Sequence, residues 1–230
     1  MFVINRKESY MEIIQQVELF YSRTLEKYDN LFHFHDNYEV YIFLSGDVDF
    51  FIEQSCYSLT RGHLIVLNDK EIHRACYYGK FPCERQVLHV APQVVRSLSG
   101  NQSNLLQCFQ SRKSGTNNIV LLSEQQLDEL TDTTEKLKNI MEVTQYGSDV
   151  LFNAYLAIFL TQINNVFREN QKVKSIPPNS LVSNILEFVN LSLGSDLSLE
   201  TIAKHFSIDA TICVICSKHK QALLYINTYC

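Results

Sequence analysis

Between Leu31 and Pro92 the apolar residues fall in short runs: Val40–Leu44, Val48–Ile52, Cys56–Leu59, Leu64–Leu67 and Gln86–Val90. Turn-forming groups separate them, namely Ser45-Gly46-Asp47, Arg61-Gly62, Asn68-Asp69 and Tyr78-Gly79-Lys80. Runs rich in β-branched and aromatic residues, bounded by such groups, predict strands. The gaps are too short for crossover helices, so the strands must pair largely antiparallel, as a sandwich or small barrel. Several runs are apolar on both faces, which calls for a covering helix or a partner outside the sheet. Before this region, Ile13, Ile14, Val17, Phe20 and Tyr21 recur at helical spacing and predict a helix within residues 1–30.

After Pro92 the period lengthens. Gln93–Ser99 predicts a short helix, and 101–118 a polar loop around a short helix at Leu105–Phe109. Ser123 is placed to cap a helix whose first turn holds Glu124, Gln125 and Gln126, with Leu127, Leu130, Thr134, Leu137 and Met141 on one stripe. Gly147 ends it, and Ser148-Asp149 starts a second carrying Val150, Leu151, Ala154, Tyr155, Ile158, Phe159, Ile163 and Phe167. Two long helices joined by a brief glycine turn make an antiparallel hairpin. The polar stretch Glu169–Asn179 ends in a diproline and reads as a linker. A boundary near Pro178 divides the chain into 1–178 and 179–230. In the second part Leu181, Ile185, Phe188 and Val189 mark an amphipathic helix, and a short helix LETIAKHF follows Leu197-Ser198.

Charge and cysteine content narrow the function classes. With 230 residues and a formal net charge of −5, the chain is no general polyanion binder. Its N-terminus carries charges where a secretory signal would be apolar, and apolar runs such as Tyr155–Leu160 are too short to span a bilayer. Seven cysteines without framework spacing read as reduced thiols, so a cytoplasmic protein is expected, with no membrane partner. Cys213-x-x-Cys216 lacks a second pair and reads as semi-buried thiols.

The chemistry concentrates in His33–Gly46, HFHDNYEVYIFLSG. On a strand, His33, His35, Glu39, Tyr41 and Phe43 would share one face. The stretch resembles the first motif of the cupins, His-x-His followed by a glutamate and a glycine, here Glu39 and Gly46. RGHLIVLNDKEIH resembles the second motif, with Gly62 and His73 at its two ends and Asn68 or Asp69 where a proline is usual. In metal-dependent cupins the matching His33, His35, Glu39 and His73 would be metal ligands, a donor set suited to Fe, Mn, Ni or Zn. His89 and Tyr41 join the same candidate wall from later and neighbouring strand positions.

Asp196–Asp209, DLSLETIAKHFSID, is similar to the first helix-turn of the DNA-binding domain of AraC-family transcription regulators, with Leu199, Ile202, Ala203 and Phe206 at its core spacing. The helix before it and the order of sensor, hairpin, linker and reader fit as well. The resemblance implies an α+β protein: a cupin-like antiparallel β-sandwich or barrel, an α-helical hairpin, then a small all-α partial helix-turn-helix domain. It implies a small polar effector, a sugar or small acid, held by His33, His35, Glu39, Tyr41, His73 and His89, with no cofactor and no catalytic residue. It implies a homodimer through helices 123–168.

The reader departs from the family. Its second helix should present polar and basic groups to base edges, and here only Thr211, Ser217, Lys218, His219 and Lys220 are available. Residues 180–230 hold three lysines against four carboxylates, a net −1, and affinity for DNA rests on phosphate neutralisation. Weak or lost DNA binding is expected, with a truncated or frame-altered reader favoured over one completed by a partner chain. The alternative reading is a metal-dependent cupin enzyme of the dioxygenase or isomerase class.

Overall fold

A computed structural model of the protein describes residues 16–143, 145–170, 178, 183–185, 188, 191–192 and 198–206. Among the described residues, nine strands form two sheets. The strands are β1 (Val17–Thr24), β2 (Tyr28–Asp29), β3 (Tyr38–Ser45), β4 (Val48–Ile52), β5 (Ser55–Ser58), β6 (His63–Leu67), β7 (His73–Tyr77), β8 (Cys83–Val90) and β9 (Ile119–Leu121). The larger sheet runs β1-β8-β3-β6-β9 and the smaller β2-β7-β4-β5, with every pairing antiparallel.

The central strands β3 and β6 of the larger sheet are buried on both faces, which is why they read as continuous apolar runs. Tyr41, Phe43, Ile65, Leu67 and Val87 face the smaller sheet and meet Val48, Phe50, Ile52, Ala75 and Tyr77. Tyr38, Val40, Ile42, Leu64, Val66, Leu88 and Val90 point the other way into a core shared with the helices. These helices are α1 (Pro92–Leu98), α2 (Gln107–Gln110), α3 (Glu124–Glu142) and α4 (Ser148–Asn170). Covering helices were the expectation from the two-faced strands, and they are present.

α3 begins with a reciprocal cap: the Ser123 hydroxyl accepts from the Gln126 amide at 3.2 Å, and the Gln126 side chain accepts from the Ser123 amide at 3.0 Å. α3 and α4 form the expected hairpin, and Phe152, Leu156, Phe159, Leu160 and Ile163 of α4 enter the core. Buried Asn164 ties α4 to the segment around α2, accepting from the Cys108 amide at 3.0 Å and donating to the Leu105 carbonyl at 2.9 Å. By length and composition α4 is apolar enough to cross a membrane, which corrects the sequence reading that no run is. Its apolar content serves the core it packs into.

The helix expected in residues 1–30 is not what the described part forms. Val17–Thr24 is a strand at the edge of the larger sheet, in register from Val17↔Val90 to Thr24↔Cys83. Val17, Phe20 and Tyr21 sit at helical spacing by coincidence. Pairing with β8 and burial of Val17 decide the conformation, while Phe20 and Tyr21 stay about half exposed. Ile13 and Ile14 lie outside the described residues. Strands β2, β7 and β9 were not foreseen. β7 reads HRACY, whose polar letters conceal five buried positions.

Gly46, the motif glycine, turns β3 into β4 at φ +127°, and a Cβ there would lie 3.0 Å from the Cys83 backbone. Only glycine meets both conditions. In the last part, α5 (Leu199–Phe206) buries Ile202 and Ala203, and the His205 ring stacks on Phe188 at 4.1 Å.

Candidate functional site

Glu39 is the second residue of β3 and faces the smaller sheet. In register it lies between His89 of β8 and Leu67 of β6. His73 opens β7 in the opposite sheet. His33 and His35 approach from the loop before β3 rather than from the strand, so simple alternation along 33–43 does not describe them. What holds His33 is a two-way backbone bridge: its amide donates to the His73 carbonyl at 3.1 Å and its carbonyl accepts from the His73 amide at 2.9 Å. The imidazoles gather closely, with ring centres 4.3 Å apart for His33 and His73, 4.7 Å for His35 and His89, and 5.2 Å for His35 and His73.

Three of these rings aim at one oxygen. Glu39 Oε2 lies 3.0 Å from His35 Nε2, 3.1 Å from His89 Nε2 and 3.3 Å from His73 Nε2. Burial alone would raise the Glu39 pKa, but hydrogen bonds from His35 and His89 and the closeness of His73 overcome it and hold the carboxyl well below its usual range. Burial lowers the His89 pKa, and contact with Glu39 and Glu18 outweighs that, leaving it raised. For His33 burial prevails and the pKa falls.

The far ring nitrogens set a constraint. Nδ1 of His33, His35 and His73 each lies 2.9 Å from a backbone carbonyl, of Leu31, Asn37 and Glu71 respectively. A carbonyl only accepts, so these Nδ1 atoms carry hydrogen. In the neutral ring Nε2 is then a bare acceptor, and for His35 and His73 it would face a carboxylate oxygen that is also an acceptor. A positive charge resolves the conflict, either a proton on the ring or a metal ion between the groups. His73 Nε2 is buried and its approach to Glu39 lacks hydrogen-bond geometry.

The donor set fits a metal. His33, His35 and His73 offer ligand atoms within 4.8 Å of one another, and so do His35, Glu39 and His89. Imidazoles with a carboxylate suit Fe, Mn, Ni or Zn, and Nδ1–H bonds to carbonyls are the arrangement that orients such ligands. His89 enlarges the set of four implied by the cupin resemblance.

Tyr41 does not join this group. Its hydroxyl is buried, and its neighbours are Tyr28, Arg85 and Cys83, deeper in the sandwich. Beneath the histidines the space is filled by Phe50, Ile52, Ile65 and Leu67. A cavity of about 420 Å³ lies elsewhere, between the β1–β8 edge and α3, lined by Leu19, Tyr21, Gln86, Asp128, Thr131 and Glu135 among others. Thr211, Ser217, Lys218, His219 and Lys220 lie outside the described residues.

Reading the sequence missed two supporting features. The Glu71 carboxylate, two residues before His73, is gripped by Arg112 and by the Asn68 and Gly115 amides. Asn68 takes the place of the usual proline and shapes that turn by accepting from the Lys70 and Glu71 amides at 2.9 and 3.1 Å. No local pattern marks Arg112.

A family model described as the AraC-like ligand-binding domain matches residues 19–157. No curated protein matches the chain. Among solved structures, the AraC-like transcriptional activator CuxR is 14% identical, with a TM-score of 0.41 over 77% of this chain and 59% of its own length. Wild-type ToxT from Vibrio cholerae, bound to an unsaturated fatty acid, is 14% identical, with a TM-score of 0.44 over 90% of this chain and 72% of its own. A cupin superfamily protein from Desulfitobacterium hafniense is 10% identical, with a TM-score of 0.30 over 33% of this chain and 68% of its own.

Proposed function

The chain belongs to the family of AraC-like ligand-binding domains, and on that premise we propose that it is a cytoplasmic transcription regulator whose cupin-type sandwich senses a small polar effector, a sugar or small acid. The observation that carries the reading is the convergence of His35, His73 and His89 on Glu39 at one end of the sandwich, with His33 beside His35 and His73. Imidazole N–H groups and a carboxylate offer both donors and acceptors to hydroxyl or carboxyl groups of a ligand. Exposed Leu31 and Phe34, beside His33 and His35, supply apolar contact. The sensor extends over 1–178, and 179–230 is a reader segment whose lack of positive charge makes its DNA binding weak. Two protomers pair through the α3–α4 hairpin. Ligand shifts the population between placements of the reader about that dimer.

The test is a thermal-shift screen of sugars and small acids against the purified chain and its His35→Ala variant. A compound that raises the melting temperature of the first and not the second supports the reading. Ligands that stabilise both equally would remove the cluster from the effector site.

The acceptor conflict at His35 and His73 favours a second reading, in which the same side chains hold a transition metal. His33, His35 and His73, with Glu39 or His89, would be the ligands. The ion would supply Lewis acidity and an open position for a ligand's oxygen. Glu39 would hold the charge balance, and the Leu31, Asn37 and Glu71 carbonyls would fix the ring orientations. This reading links the sensor to the alternative of a metal-dependent enzyme. Elemental analysis of the protein, with His73→Ala as control, separates the two.

A further inference from the structure

The larger sheet ends at β1, and that end is an open strand edge. β1 pairs with β8 in unbroken register from Val17↔Val90 to Thr24↔Cys83, and among the described residues no strand pairs with its other side. Folds commonly protect such an edge with a proline, a bulge or an outward-reaching charge. β1 has no proline and no break in register. Its two charged side chains are engaged with β8, Glu18 at 3.5 Å from His89 and Arg23 at 2.7 Å from Glu84. Phe20 and Tyr21 stay about half exposed.

This edge borders the cavity of about 420 Å³ beside α3. Leu19, Tyr21 and Gln86 form its wall on the sheet side. The facing wall is one stripe of α3 at three- and four-residue steps, carrying Asp128, Asp132, Glu135 and Lys138. Three carboxylates thus stand against one lysine, and that lysine is drawn to Glu142 at 3.7 Å. Asp132 holds Lys136, while among the described residues Asp128 and Glu135 form no ion pair. The cleft joins the backbone N–H and C=O groups of an open edge to an apolar wall and a negative one. A second copy of this chain is a poor occupant, because pairing two β1 edges would set one acidic stripe beside the other.

We propose that the β1 edge and α3 form a docking groove for an extended, lysine- or arginine-rich segment of a partner protein. The segment adds a strand to the sheet beyond β1, and its backbone takes up the hydrogen bonds that the edge offers. Its alternate side chains turn to the α3 side, where their apolar stems lie against Leu19 and Tyr21 and their charged ends reach Asp128 and Glu135. The groove is separate from the histidine cluster and does not depend on what that cluster binds.

The test titrates the full chain into a fluorescein-labelled, end-capped octapeptide of alternating lysine and threonine, read by anisotropy at low ionic strength. Two control peptides alternate lysine with proline, which keeps the charge but cannot add a strand, and glutamate with threonine, which reverses the charge. The expected result is saturable one-to-one binding of the lysine–threonine peptide, at least tenfold tighter than that of either control. It should weaken at least tenfold when Asp128→Asn and Glu135→Gln are combined, and persist in His35→Ala. Asp128 and Glu135 are exposed, so the double variant should keep the parent's melting temperature, a direct check that it is folded. Equal binding of the lysine–threonine and lysine–proline peptides overturns the proposal. So does binding undiminished in the double variant, or no saturable binding by submillimolar protein. A parent dimer that dissociates as the peptide binds would assign the edge to a second copy and overturn it as well.

Discussion

The carboxylate of Glu71 is wholly buried and receives both terminal nitrogens of Arg112, each at 2.5 Å. The Asn68 and Gly115 amides and the Asn118 side chain complete its hydrogen bonds. Glu71 also presents its backbone carbonyl to His73 Nδ1, so the ion pair anchors the turn that orients a ring of the candidate site. Arg112→Leu would leave the carboxylate buried without its counter-charge, a loss of about 3–5 kcal/mol. Urea unfolding measures it, and a loss below about 1 kcal/mol, the range of exposed pairs, would contradict the assignment.

Stability should depend on pH through Glu39 and His89 in opposite senses. The Glu39 pKa is depressed below 4.5, so its contribution is present above that value and fades as pH falls through the folded-state pKa. The His89 pKa is raised above 6.5, so its contribution is complete below that value and fades as pH rises through the folded-state pKa. The groups facing His89 are Glu39, Glu18 and the His35 ring. In chelator-treated protein, His89→Gln should therefore lower the melting temperature more at pH 6 than at pH 8.5. An equal loss at both values would mean that the ring does not carry the charge that its two carboxylates favour.

A metal at the cluster has its own signature. Adding Zn or Ni to chelator-treated protein should raise the melting temperature, since an ion bound only by the folded state stabilises it in proportion to the logarithm of its excess over Kd. His73→Ala should abolish the rise, because His73 belongs to the triple with His33 and His35. An undiminished rise in that variant would place the metal elsewhere.

The spacing of His33, His35, Glu39 and His73 carried most of the candidate site, because a motif of ligand types survives ignorance of the fold. Alternation was a weaker guide. It put Glu39 and Tyr41 on one face, correctly, but face says nothing of depth, and a two-residue step took Tyr41 to a different polar group. β1 was lost because an edge strand with half-exposed Phe20 and Tyr21 shows no clean period of two. The helices were legible throughout: α3 and α4 are long, and the Ser123 cap is local.

That cap offers a contained test of local stability. Ser123→Ala removes the acceptor for the Gln126 amide and should cost about 1 kcal/mol. Gln126→Ala removes the return bond at 3.0 Å, and the double variant should lose less than the sum of the two, since both bonds belong to one box. Urea unfolding of the three variants decides, and strict additivity would show that the bonds act separately.

The hairpin carries the prediction about assembly. The inner face of α4 is spent on the core, yet Val150, Leu151 and Ile158 stay exposed on its outer face. Leu151, Ala154, Ile158 and Thr161 follow the alternating three- and four-residue steps of a two-helix seam, with small Ala154 allowing close approach. An exposed apolar stripe of this spacing is the kind that a second protomer covers. Ile158→Glu would place a charge in the middle of that seam while touching none of the buried residues of α4. The protein should then elute as a monomer in light-scattering chromatography at concentrations where the parent is a dimer, with its melting temperature lowered only by the lost association. A variant that stays dimeric would move the interface off this face of α4, and a parent that is monomeric at micromolar concentration would remove the dimer altogether.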